Sequence, residues 1–411
     1  MVQRQRLGVK TKLSGYLSER SVIRHHQYPT RANTLKSIAY MVAAVPLAVL
    51  LLPYVMLRAA LKGSWKIHVL ATEGEFGPFV QLMEVLRSES RPPVRNDLVM
   101  VLSRRRHALC DVYESELGWR VMTGKGPRIF LQQAILLQPK PVIAARRLTD
   151  RVEQKLSALS VPVPESLVDL RRGLLRRIGT DEGQLVLMAL NVRRYDEENN
   201  PQYLAKELAL ESVGEELVPV VDYFKNHNIP LMMVGSDDSG SAKIPRDLPR
   251  LSQYGRLGGP EEVALASACR YFWTDNVGAW WLAAPFKRPV LFTNFARFKI
   301  RYGQVPAGTM CLPTRYETLD GTQLTFRDIL TARSSPYKAA SRGELRMVRN
   351  SPDEIIDAHQ EMIGRLDGSW SEPDEASTLA GRYAAIMSEF PKYEPWRIPT
   401  RFLAKYPYLL D

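Results

Sequence analysis

The run Thr274-Asp275-Asn276-Val277-Gly278 stands between the apolar stretch 270-RYFWT-274 and a tryptophan-rich segment that leads to a second apolar stretch, 289-PVLFTN-294. A strand that stops in Asp-Asn at a helix start offers a side-chain cap. The first backbone N–H groups there have no partner, and the helix dipole favours an anion. Gly278 keeps that first turn clear of a side chain, which leaves a diphosphate room to approach; Trp280 and Trp281 are expected to pack the helix. A purely structural cap accounts for the same residues, so the stretch needs a second observation.

That observation comes from 191-NVRRYD-196, at the end of the apolar run 185-LVLMALN-191 in the same half of the chain. In a parallel sheet both loops leave by the same edge. Arg193 and Arg194 offer planar donors to phosphate oxygens, and Asp196 is placed to orient one of them. A surface Arg–Asp pair is the alternative, but two anion-suited stretches on one edge weigh more than either alone. Glu73 and Glu75, in 73-EGEFGPF-79, are candidate bases for deprotonating a hydroxyl, although two solvated glutamates would look the same. Asp237-Asp238 reads as a polar loop. The six histidines show no ligand spacing, so no metal is expected.

Positioning these residues requires strands that alternate with helices. Strands are expected at 66–71, 98–102, 185–191, 230–235, weakly at Tyr254–Leu257, and at 270–274 and 289–294. Helices are expected at 213–228, from Gly259-Pro260 to Ala268, after Gly278, and at 352–368 and 373–390. The last two carry starts at Ser351 with Glu354 and at Ser371-Glu372-Pro373. Segment 309–330 reads as a loop or hairpin followed by a helix. This alternation predicts an α/β class with parallel sheets and two Rossmann-like domains facing a cleft. The expected organisation is a basic arm at 1–36, a membrane segment at 37–62, an N-terminal domain with linker at 63–178, a second domain at 179–345 and C-terminal helices at 346–411. The basic run 167-LVDLRRGLLRRIG-179 reads as a solvated helix face.

The distribution of charge narrows the partners. Of the net +12, residues 1–36 carry +7, so the remaining chain carries only +5. A basic arm ahead of an apolar segment suits anionic membrane lipids, and no nucleic-acid motif with interleaved aromatics is present. The segment 37-SIAYMVAAVPLAVLLLPYVML-57 has no charge and is long enough to reach across a bilayer. Pro46 and Pro53 favour kinks, and Arg58, Lys62 and Lys66 make the far flank basic too, which fits a re-entrant or interfacial helix. Three scattered cysteines, Cys110, Cys269 and Cys311, argue against a disulfide framework.

Residues 191–196 resemble the His-Val-Arg-Arg-Thr-Asp stretch of α1,6- and O-fucosyltransferases, with Asn191 and Tyr195 in place of the histidine and threonine. Residues 271–294 are similar to the nucleotide-sugar half of GT-B glycosyltransferases. The region 183–365, with Ser351-Pro352-Asp353-Glu354-Ile355-Ile356 and Glu361-Met362, resembles a family of bacterial glycosyltransferases linked to surface polysaccharides. The resemblance implies a metal-independent enzyme with no cofactor, taking a nucleotide sugar as donor and a lipid-linked or polysaccharide acceptor. By it, Arg193 contacts the diphosphate, and Asp275, Asn276 and Gly278 line the diphosphate turn. The expected location is the cytoplasmic face of the inner membrane. A nucleotide-sugar epimerase of the same fold and a non-catalytic glycan or nucleotide sensor are the alternatives.

Overall fold

The computed structural model describes residues 67–70, 80, 83–84, 98–101, 107–117, 120–123, 160–190, 214–234, 247–256, 258–275, 278–299 and 305–411. The arm, the apolar segment 37–57, Glu73, Glu75, Arg193, Arg194, Asp196, Asp237, Asp238 and Asn276 lie outside them. Among the described residues no helix is long and apolar enough to cross a membrane. The chain divides into two compact units.

The first unit contains a parallel sheet of β1 (Ile67–Leu70), β2 (Leu98–Val101) and β3 (Arg120–Thr123) in that order, with Ile67 opposite Leu98 and Leu98 opposite Arg120. The apolar runs predict β1 and β2; β3 has no comparable run. Helix α1 (Leu109–Leu117), expected to belong with these strands, groups with the second unit, where Ala108 N donates to Gly258 O at 3.1 Å.

The second unit is built on five short strands: β4 (Val186–Ala189), β5 (Leu231–Met233), β6 (Tyr271–Thr274), β7 (Val290–Phe295) and β8 (Met310–Pro313). All are parallel, in the order β5-β4-β6-β7-β8. Every residue of the five is buried, which is why they read as continuous apolar runs rather than alternating ones. Helix α2 (Glu165–Ile178) precedes β4 and ends at Gly179 in the left-handed region (φ 79°), whose N–H bonds back to Leu175 and Arg176. Helix α3 (Gly214–Asn226) connects β4 to β5, and α4 (Pro260–Ala268) connects β5 to β6. The chain steps one way across the sheet from β4 to β5 and back the other way to β6. Right-handed crossovers therefore place α3 and α4 on opposite faces.

The C-terminal part completes this unit. Strand β9 (Arg315–Glu317), helices α5 (Phe326–Thr331) and α6 (Pro336–Ser341), and strand β10 (Arg346–Val348) follow β8, with β9 and β10 antiparallel. Helix α7 (Pro352–Asp367) packs on α3, β7 and β8. Its start is the expected capping box: the Ser351 side chain accepts from Glu354 N, and Glu354 accepts from Ser351 N. Helices α8 (Ala376–Glu389) and α9 (Thr400–Lys405) and a final 3-10 turn, Pro407–Leu410, close the chain. Cys311 N donates to Arg397 O at 2.8 Å, so the segment before α9 covers the outer edge of β8.

Three expectations are corrected. The Trp-rich segment after β6 is not an α-helix but two 3-10 turns, Gly278–Leu282 and Ala284–Phe286. Pro285 has no N–H for the Trp281 carbonyl and its ring crowds that carbonyl, which disfavours an α-helix there. No strand forms from Tyr254: Leu251–Gln253 is a 3-10 turn, and the parallel bridge to β5 comes from Arg250 opposite Met233. The helix expected from Pro373 begins at Ala376, because Ala376 N bonds to Pro373 O in a preceding turn.

Candidate functional site

In the order β5-β4-β6-β7-β8 the direction of winding reverses between β4 and β6, and in open parallel sheets ligands bind outside the carboxyl ends of the strands at that reversal. Ala189 and Thr274, the last residues of β4 and β6, are register partners. Thr274 Oγ1 donates to Ala189 O at 2.9 Å, tying the two ends together. The described parts of β4 and β6 therefore end side by side, while Arg193 and Arg194 lie outside the described residues. The two stretches that sequence alone placed on one edge start from neighbouring strands.

The turn itself differs from expectation. Gly278 is exposed and opens a five-residue 3-10 turn, so no long helix dipole backs it. Asp275 is 1% exposed. Trp280 and Trp281 are buried with ring centroids 4.1 Å apart, and Trp280 meets Phe292 edge-on. They are core residues, as expected. Beneath the edge, Trp273 Nε1 donates to Thr293 Oγ1 at 2.9 Å, locking β6 to β7.

Strand β7 ends unusually. Asn294 takes a left-handed backbone (φ 48°), and the pairing with β8 shifts register between Phe292 and Phe295. Asn294 N donates to Asn350 Oδ1 (2.6 Å) and Asn350 N donates to Asn294 Oδ1 (2.7 Å), while Asn350 Nδ2 reaches Pro313 O (3.0 Å). The reciprocal amide pair satisfies the backbone groups freed by the bulge. Beyond it comes Ala296-Arg297-Phe298-Lys299, whose two cations sequence inspection did not single out.

Glu354 and Glu361 have structural roles here. Glu361 is fully buried and accepts from Thr400 N (2.7 Å), Thr400 Oγ1 (2.9 Å) and Arg365 Nε (2.8 Å). Glu354 accepts from Lys405 Nζ (2.7 Å), Tyr406 OH and Ser351 N. Burial pushes the Glu354 carboxyl up, but these donors outweigh it and hold it below the usual carboxylate range. Together the two glutamates fasten α9 to α7. His359, also fully buried, contacts Tyr271 OH through Nδ1 at 2.8 Å and sits edge-on to Trp273 and Phe224. Burial lowers its pKa to about 3, so it is a neutral core residue.

The cysteines are free and buried. Burial raises Cys269 to about 12 and carries Cys311 well above the usual thiol value, so neither offers a thiolate nucleophile. Among the described residues no cluster of three His, Cys, Asp or Glu could hold a metal ion. A cavity of about 680 Å³ opens between α8 and the segment before α9, lined by Ala380, Tyr383, Met387, Trp396 and Ile398; its lining includes no residue from the carboxyl edge of β4 or β6.

No protein-family model matches the chain, and no curated protein matches it. Among solved structures it is similar to the crystal structure of the glycosyl transferase family 9 from Veillonella parvula DSM 2008, at 12% identity, with 73% of this chain and 97% of that chain covered and a TM-score of 0.46. A likeness that loose assigns neither a family nor an activity.

Proposed function

We propose that this chain is a metal-independent GT-B-type glycosyltransferase that moves a sugar from a nucleotide-sugar donor to a lipid-linked or surface-polysaccharide acceptor. The observation that carries this reading is the pairing of Ala189 with Thr274 at the point where the sheet reverses its winding. It starts the Arg193-Arg194 segment and the Asp275–Gly278 turn from adjacent strand ends. In this reading Arg193 and Arg194 hold the donor diphosphate, Asp196 orients one of them, and Asn276 and Gly278 present backbone to it. As the bond from the sugar to the diphosphate breaks, negative charge grows on the leaving oxygen. Fixed guanidinium groups stabilise that charge, the task a divalent ion performs in other transferases. Glu73 or Glu75 accepts the proton of the attacking hydroxyl. The basic arm and the apolar segment 37–57 hold the enzyme on anionic lipid at the cytoplasmic face, where nucleotide sugars are made.

The test is binding of a nucleotide-sugar panel to wild-type chain and to Arg193→Ala, followed by calorimetry. Loss of a charge-assisted bidentate contact is expected to weaken the donor by about 2–3 kcal/mol with the melting temperature unchanged. Equal affinity in the two proteins would remove Arg193 from the site. A wild-type chain that binds no member of the panel would remove the function.

A further inference from the structure

Arg297 lies two residues past Phe295, the end of β7, and β7 is hydrogen-bonded to β6. The backbone around it is held on both sides. Ala296 O accepts from Tyr316 OH at 2.8 Å, and Phe298 is buried and stacked on Phe326 with centroids 5.1 Å apart. The arginine is therefore delivered to one place by its neighbours. It is half-buried there, its guanidinium lies 5.9 Å from the centroid of the Tyr337 ring, and its Nε is buried without a hydrogen-bond partner. Among the described residues no carboxylate pairs with it.

Several other arginines of this unit meet a carboxylate within the chain, including Arg315, whose Nε is also buried without a hydrogen-bond partner but which reaches Glu354. Arg270 meets Asp367, Arg327 meets Glu389, Arg365 meets Glu361, and Arg401 meets Asp357. A guanidinium nitrogen buried without an acceptor, as the Nε of Arg297 is, is uncommon in a folded protein, and the half-exposed remainder of the group keeps its donors open to solvent. At the carboxyl edge of a parallel sheet, the partner with matching geometry is an external oxyanion able to accept a planar fork of N–H groups. The position of Tyr337 fits this use, since an aromatic face holds the guanidinium without occupying its donors.

We propose that Arg297 is a phosphate-binding residue, contributing a guanidinium to a phosphoryl group bound at the carboxyl end of β7, beside Tyr337. It rests on the reading of the sheet's carboxyl edge as a diphosphate site and adds to it a cation from a third strand. The phosphoryl group belongs either to a nucleoside diphosphate or to inorganic pyrophosphate, and the experiment separates the two.

Full-length chain in detergent is titrated calorimetrically with inorganic pyrophosphate, with UDP and GDP, and with uridine and guanosine as phosphate-free controls. Arg297→Gln is expected to weaken pyrophosphate by about tenfold or more, and Arg297→Lys to recover part of the loss, because charge returns without the fork. Binding of the free nucleosides should not change. If Arg297→Gln lowers the melting temperature, Arg297→Lys alone decides, since a phosphate-binding fork still loses affinity in that variant. Unchanged pyrophosphate affinity in the variants, or no pyrophosphate binding by wild type at millimolar concentration, overturns the assignment. Nucleoside diphosphates that bind equally to wild type and Arg297→Gln would overturn it while leaving the transferase reading intact. Pyrophosphate binding that depends on Arg297, without binding of any nucleoside diphosphate, would support the assignment and sink the transferase reading.

Discussion

Around α7 and α9 charge is matched within the chain. Glu361 takes three donors, Glu354 takes Lys405, Tyr406 and Ser351, and Arg401 reaches both Asp357 and Gln360. At the carboxyl end of β7 the opposite holds: the backbone on either side of Arg297 is held through Ala296 and Phe298, yet no carboxylate pairs with Arg297 among the described residues. The two regions belong to one unit and share β7. The difference separates charges that hold the fold from a charge left over after the fold is complete, and only the second kind is available to a ligand.

The largest expected effect tests the matched region. Glu361→Ala strands Thr400 N and Thr400 Oγ1 in a buried setting and leaves Arg365 with Glu372 alone, and breaking such a network should cost about 3–5 kcal/mol in chemical denaturation. Pyrophosphate affinity measured under folding conditions should stay at the wild-type value. Loss of both would mean the two regions are not separable.

His359 gives the next effect and a pH signature. Its folded value lies near 3, below the ordinary histidine value of 6.5, because burial disfavours the charged ring. Between those two values the unfolded chain binds a proton that the folded chain does not, so stability falls as pH drops. The slope from this one group approaches about 1.4 kcal/mol per pH unit well below 6.5 and vanishes near the folded value. In His359→Phe, denaturation between pH 6.5 and 4.5 should show a shallower loss than wild type. An unchanged slope would show that the ring does not titrate on unfolding.

Smallest is Ser351→Ala, which removes the side-chain acceptor for Glu354 N while leaving the Glu354 carboxylate all of its donors, the backbone N of position 351 included. A loss of about 1 kcal/mol is expected, read as a small shift of the denaturation midpoint. A much larger loss would show that the cap also governs the Asn294–Asn350 pair next to it.

How far the sequence carries can be seen element by element. Buried strands such as 271–274 and 290–295 are legible because every residue is covered, leaving uninterrupted apolar runs. The capping box at Ser351 is legible because it is local chemistry. Strand β8 is not: Met310-Cys311-Leu312-Pro313 is short, ends in proline and is defined mainly by β7 and Arg397 on either side. The helix expected after Gly278 gave way to 3-10 turns because one residue, Pro285, outweighs the periodicity of the segment. For the candidate site, the shared edge follows from strand order and was foreseeable. Arg297 was not, because having no partner is a property of the surroundings in space, which no spacing of residue types encodes.

The Asn294–Asn350 pair also bears on the order of folding. It closes a loop of 56 residues, and Asn294 holds a left-handed backbone costing about 1 kcal/mol that only the finished pair offsets. Contacts separated this far along the chain form after local helices and adjacent strands, since the loop-closure entropy comes first. The exit of β7, and with it the placement of Arg297, therefore takes shape only once α7 has docked. A folding intermediate could hold most of the five-stranded sheet and still lack this corner, acquiring it in the last step rather than inheriting it from the sheet.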